Sequence, residues 1–270
     1  MQNQSTTRSQ HEQDLVRIAN FRLMDDDFLS EILDNDIEAV TLILQIILQR
    51  NDLNIISAKT QYEYHSAGKR SLRLDVLAID TLGVVYDIEL QRKDEGASPK
   101  RLRYHSSRID SDLLHKGDAF DDLNESYVIF ICENDIFRQG CPIYHVNRHI
   151  EEMNYALYND GSHLIYVNGQ YRNLNDPIGQ LMHDFNSRRS EDMVLPVLAK
   201  RVHDFKETSK GVETMSEMLE QMRKEVADNE RISVARRMIA ENEPIEKIIR
   251  YTNLSREVIE SLQQEMLIKA

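Results

Sequence analysis

Cysteine, long apolar runs and positive charge are all scarce in this chain, and each shortage excludes a class of protein. Two cysteines in 270 residues, Cys132 and Cys141, make no disulfide framework, and their spacing fits no zinc motif. They are read as free thiols, which points to a reducing cytoplasm. No stretch approaches the roughly 18–20 apolar residues that a bilayer span needs. The opening MQNQSTTRSQHEQD is polar and has no apolar h-region, so secretion is not expected. A Gly-rich phosphate loop and a Ser or Cys nucleophile paired with His are also missing. The net charge of −13 argues against a protein that coats nucleic acid without specificity.

The charge is unevenly spread. From Met24 to Ala39 there are seven acids and no base: Asp25, Asp26, Asp27, Glu31, Asp34, Asp36 and Glu38. From Arg92 to Arg108 there are six bases against two acids, enough to attract a phosphate backbone locally. Just ahead of that basic stretch lies RSLRLDVLAIDTLGVVYDIELQRK, residues 70–93. Its period-two pattern predicts two strands joined by a turn over Asp80 to Gly83. One face carries Leu72, Leu74, Val76 and Ala78, then Val84, Tyr86, Ile88 and Leu90. The other carries Asp75, Leu77 and Ile79, then Val85, Asp87, Glu89, Gln91 and Lys93. Acids set among apolar neighbours are expected to be partly exposed at most, and need a cation or hydrogen-bond donors to stay charged. Glu89 and Gln91, two apart, point to one side and meet Asp75 across the hairpin. Asp75, Glu89 and the Leu90 carbonyl would then hold one Mg²⁺. Asp87, on the same face, is either a second ligand or a support for the first.

Around this hairpin the pattern predicts a flexible lead over 1–24, partly ordered near Ile18–Leu23, and buried helical sequence from Asp25 to Leu48, broken near Asp34–Asp36. A strand follows at 53–64, and a helix runs from Pro99 to about Lys116. The continuous apolar run SYVIFIC (126–132) reads as a strand covered on both faces. Further strands are expected at 141–150 and 163–169. An antiparallel meander with a parallel strand added through a crossover helix accounts for this order. Strand signal ends near Asp176. Residues 177–240 read as a helical association region, with Met215, Leu219, Met222 and Val226 on one face that suits homo-oligomer packing. Residues 241–270 read as a helix-turn-helix-like pair, Ser255 capping the second helix. Glu257, Glu260 and Glu265 against a lone Arg256 suit that helix poorly to phosphate, although a DNA-binding regulator working through it is a competing reading.

The arrangement of Asp75, Glu89 and Gln91 after a buried helix resembles the PD-(D/E)XK nuclease superfamily. DDDFLSEILDNDIEAVTLILQIIL, TQYEYHSAGKRSLRLDVLAID, VYDIELQRKDEGASPKRLRYHSSRID and YVIFICENDIFRQGCPIYHVNRHI resemble its bacterial branch of recombination-promoting nucleases and transposases over roughly residues 24–170. The resemblance implies an α/β, restriction-endonuclease-like αβββαβ core with a mixed central sheet over 25–176, followed by a helical C-terminal region. It also implies a DNA endonuclease dependent on Mg²⁺, with Mn²⁺ as substitute. Asp75 and Glu89 would be metal ligands, Gln91 would replace the usual lysine, and Glu38 would orient a metal-bound water. Leu74 stands where the motif has proline. Gln91 cannot carry charge or shed a proton as lysine can, and Lys93 is placed to supply the missing charge. Lys93, together with Lys100, Arg101, Arg103, Tyr104 and His105 on the next helix, is a candidate DNA contact. The competing implication is a nuclease-like interaction module without chemistry. Nothing resembles a DDE catalytic core, and His65, His115, His145, His149, His163, His183 and His203 show no metal-ligand spacing.

Overall fold

The computed structural model describes residues 2–64 and 72–269. His65, and Arg70 and Ser71 at the head of the hairpin segment, lie outside the described residues. The chain clusters into two compact units, one spanning Val16–Thr208 and the other joining residues up to Leu15 with those from Ser209 onward. Where the sequence suggests a lead ordered only near Ile18–Leu23, helix α1 (Gln2–Asn20) forms over most of it; Ile18 and Leu23 are buried, as is Met24.

In the larger unit, α2 (Asp26–Leu33) and α3 (Ile37–Leu48) are separate helices. Asn35 turns left-handed between them (φ 54°), and the Asp36 carboxylate caps α3 by accepting from the Ala39 N–H at 3.0 Å. Strands β1 (Ile55–Tyr64), β2 (Leu72–Asp80) and β3 (Val85–Gln91) form the antiparallel meander. Asp80 builds its second turn. One oxygen accepts the Leu82 and Val84 N–H groups (2.8 and 3.0 Å), and the other accepts the Tyr86 hydroxyl (2.8 Å). Gly83 takes the positive φ (79°) that this turn requires.

Helix α4 (Pro99–Leu113) starts with Ser98 as cap and Pro99 in the first turn. It stops three residues short of the expected Lys116, because His115 donates its N–H to the Asp118 carboxylate in a competing turn. The helix leads into β4 (Ser126–Cys132), parallel to β3. Short strands β5 (Ile143–Val146), β6 (His149–Ile150) and β7 (Ala156–Leu157) follow, then β8 (Ser162–Asn168). The sheet order is β1-β2-β3-β4-β8-β5, with β8 parallel to β4 and β5 an antiparallel edge. This is a mixed α/β sheet of restriction-endonuclease-like αβββαβ type. Helices α2 and α3 pack on β1, and α4 packs on β4 and β8.

Helices α5 (Pro177–Asn186) and α6 (Pro196–Lys206) belong to this same unit, although the sequence places a boundary near Asp176. The Phe185 carbonyl accepts the Met24 N–H at 2.9 Å, and Arg201 bonds the Asp36 carboxylate. The smaller unit contains α7 (Ser209–Ala240), α8 (Ile245–Thr252) and α9 (Arg256–Lys269) around Ala235, Ile248, Ile259 and Leu262. Arg223 on α7 makes a two-pronged pair with Asp14 of α1 (2.7 and 3.1 Å). Of the proposed association face, Met215 and Leu219 are buried within the chain and Val226 is exposed. Among the described residues no helix is long and apolar enough to cross a membrane.

Asp80→Ala removes one buried acceptor shared by three donors. It is expected to cost about 2–4 kcal/mol, measured as a lowered urea midpoint, whereas Thr81→Ala at the exposed turn should shift it little.

Candidate metal-binding active site

The site lies where β2 parts from β3. The two strands pair from Ile79 opposite Val85 to Val76 opposite Ile88. At the next position side chains replace the ladder. The Asp75 N–H donates to Glu89 Oε1 and the Leu90 N–H donates to Asp75 Oδ2, both at 2.9 Å. Beyond that point β3 stays tied to β4 as far as Gln91 opposite Cys132. The two acids that the sequence nominates therefore do meet, each bonded to the other's strand.

Every residue of β3 is buried, including Asp87, Glu89 and Gln91. The sequence allows partial exposure; the cover of α4 removes it. Arg101 and His105, one helical turn apart, are the α4 residues laid over these acids. Arg101 Nη1 donates to Gln91 Oε1 at 2.9 Å, Nη2 lies 3.4 Å from Glu89 Oε2, and Nε donates to His105 Nε2 at 3.4 Å. His105 Nδ1 is 2.9 Å from Asp87 Oδ2, and the ring stands edge-on to Phe130. Gly96 permits the approach of Gln91, since a Cβ there would fall 2.3 Å from Gln91 Oε1.

Burial dominates the electrostatics. It pushes the Asp75 carboxyl up to about 6, against the opposing Leu90 hydrogen bond and with help from the charge of Asp26. Asp87 and Glu89 are raised well above the usual carboxylate range, by burial first and then by neighbouring negative charge, that of Asp75 on Asp87 and that of Asp87 on Glu89. Burial likewise lowers His105. Two buried carboxylates, Asp87 and Glu89, and the half-buried Asp75 with one guanidinium form a cation-seeking group, and that donor set, all carboxylate oxygen, suits a divalent metal.

Other nominated residues lie elsewhere. Glu38 is exposed in the first turn of α3, and the N-terminal acid that acts on Asp75 is Asp26 of α2. Lys93 is exposed ahead of the short turn Asp94–Ala97, so the positive charge at Gln91 comes from Arg101. Lys100 and Arg103 are exposed and line a groove with Arg148, Ser162 and Leu164. Tyr104 is half-buried and packs on the core. His105 is wholly buried against Asp87 rather than presented to a phosphate. The basic run is not a uniform face either: Arg92 is paired with Asp25 at 3.0 Å, and Arg108 is buried beneath the Tyr64 ring. The helical spacing of Arg101 and His105 was the available signal for their shared role; the contact of Gly96 left no trace in the sequence.

A meander, a crossover helix and a parallel strand that carry paired acids at the strand divergence define a PD-(D/E)XK nuclease-like domain. The comparison with protein families agrees. Residues 26–174 match the family described as PD-(D/E)XK nuclease family transposase, and the chain belongs to it. No curated protein and no solved structure matches the chain.

The raised carboxyls make stability depend on pH in a definite direction. Asp75's folded value, about 6, lies above that of a free carboxyl. Its contribution is therefore full below the ordinary carboxyl range and is lost as pH rises through about 6. Asp87 and Glu89 act in the same sense. In chelator, the melting temperature should fall between about pH 5 and about pH 7.5. Asp75→Asn, which cannot ionise, should flatten that fall, and a profile of equal slope in both proteins would contradict the assignment.

Proposed function

We propose that this protein is a divalent-metal-dependent DNA endonuclease. The observation that carries the reading is that the Glu89 carboxylate accepts the Asp75 N–H and the Asp75 carboxylate accepts the Leu90 N–H where β2 leaves β3, beneath a helix that presents cations. Asp75 and Glu89, with the Leu90 carbonyl, would hold Mg²⁺ or Mn²⁺. A metal bound there supplies Lewis acidity at a phosphoryl oxygen and a water of lowered pKa.

The chain's own residues supply the rest. Gln91 stands in the lysine position and cannot donate charge, and Arg101 answers that deficit with a permanently charged, forked donor suited to a phosphate. Its side chain is half-exposed, so it can turn from Glu89 toward a substrate oxygen. Lys100 and Arg103, exposed on the same helix, would position the DNA backbone without reading its sequence. Local positive charge on α4 thereby offsets the overall charge of −13.

One observation favours a second reading, a nuclease-like module without chemistry: Arg101 already lies 3.4 Å from Glu89 and 2.9 Å from Gln91. Cleavage of supercoiled, linear and single-stranded DNA with Mg²⁺ or Mn²⁺ separates the two. The nuclease reading expects metal-dependent nicking that falls by about a thousandfold or more in Asp75→Asn and in Glu89→Gln, the worth of several kcal/mol of charge stabilisation. Arg101→Ala should weaken DNA binding and lower the rate by about tenfold to a hundredfold. Wild-type protein that cuts no DNA form with either ion would hand the site to the second reading.

A further inference from the structure

We propose that Asp87, Glu89 and His105 form a second cation position, sharing Glu89 with the Asp75 position and suited to a transition metal such as Mn²⁺. The inference rests on the reading that Glu89 faces a bound metal, and it adds a ligand set that this reading does not use.

The geometry is that of a closed ligand group. One ligand atom from each of Asp87, Glu89 and His105 lies within 4.8 Å of the others. His105 Nδ1 is 2.9 Å from Asp87 Oδ2 and 3.9 Å from Glu89 Oε1. The three side chains are at most 1% exposed. A hydrogen-bonded Asp–His pair alone would explain Asp87 Oδ2. It leaves Asp87 Oδ1, which is buried and has no hydrogen-bond partner. A buried carboxylate oxygen without a donor is costly; a proton shared with Glu89 relieves it at the expense of an ionised acid, whereas a cation relieves it and keeps both acids charged. Arg101 gives Asp87 no hydrogen bond and acts on it only through space, because its own hydrogen bonds go to Glu89, Gln91, Gly96 and His105.

The imidazole sets the preference among metals. Carboxylates alone suit Mg²⁺, whereas a ring nitrogen with two carboxylates favours Mn²⁺ or Zn²⁺. Arg101 Nε donates to His105 Nε2, so in the ion-free arrangement the ring proton sits on Nδ1, facing Asp87. Ligation through Nδ1 moves that proton to Nε2, donor against donor with Arg101. Filling this position therefore turns Arg101 away from His105 and frees its guanidinium.

The test uses the metal-stripped full chain and Mn²⁺ alone. Pulsed electron paramagnetic resonance of the Mn²⁺-loaded wild type should show a ¹⁴N coupling from the directly bound ring. Asp75→Asn should keep that coupling. His105→Asn should abolish it and weaken Mn²⁺ binding at this position by about tenfold or more, at least what losing an outer partner of a ligand costs. The wild-type and Asp75→Asn spectra decide the matter even if His105→Asn folds poorly. Absence of ¹⁴N coupling in wild type overturns the proposal, as does its loss in Asp75→Asn. DNA cleavage judges the nuclease reading separately: failed cleavage with the coupling intact would remove that reading and leave this position standing.

Discussion

Burial of negative charge is the constraint on which the rest of this structure depends. Asp87 and Glu89 sit on a strand closed on every residue, and Asp75 meets them from the neighbouring strand. In water each would ionise freely; under α4 each is driven toward its neutral form. One guanidinium cannot neutralise three such groups. The protein therefore holds, in its central sheet, a cluster of acids that a further cation would neutralise. For the proposed nuclease that is preorganisation at a cost in stability, the usual relation between a folded scaffold and an active centre.

The same acids serve as a joint. Between Val76 and Ile88 the β2–β3 ladder runs on backbone groups, and one residue later it runs on carboxylates. An acid that accepts a backbone N–H here does two things at once: it fills a vacancy in the ladder and fixes its own oxygens where the proposed metal would meet them. The choice of substitution follows from this. Asn at position 75 keeps an oxygen that can accept the Leu90 N–H and loses only the charge, whereas Ala also opens the joint. An alanine phenotype would therefore mix lost chemistry with a loosened sheet.

Much of this was legible in the sequence. Period-two alternation gave the hairpin and put Asp75, Glu89 and Gln91 on one side, and the continuous apolar run gave β4. What failed was tertiary. Glu38 lies in the right helical segment, but the break at Asn35 and the cap at Asp36 turn it outward, while Asp26 of the preceding helix acts on Asp75. A linear pattern cannot show how two helices cross a sheet. Residues beyond Asp176 read as a separate helical region because strand signal stops there. Yet Met182 and Phe185 are fully buried in the unit that contains the sheet. Periodicity shows that a face is apolar and does not show which partner covers it.

The least legible element is the one that sets the phase of α4. Between Gln91 and Pro99 the chain makes one short turn, Asp94–Ala97, and Ser98 caps the helix. Each residue of an α-helix advances about 100°, so one residue added or lost in this connection would rotate Arg101 and His105 off the acids. Their contacts with Glu89, Gln91 and Asp87 thus depend on a link of fixed length. Gly96 is the tight point of that link, since its missing side chain is the space that Gln91 Oε1 occupies. The strands place the acids, but the length of this connection and the glycine within it decide whether any cationic group faces them. In that sense the charge balance of the site is set outside the strands that carry its charges.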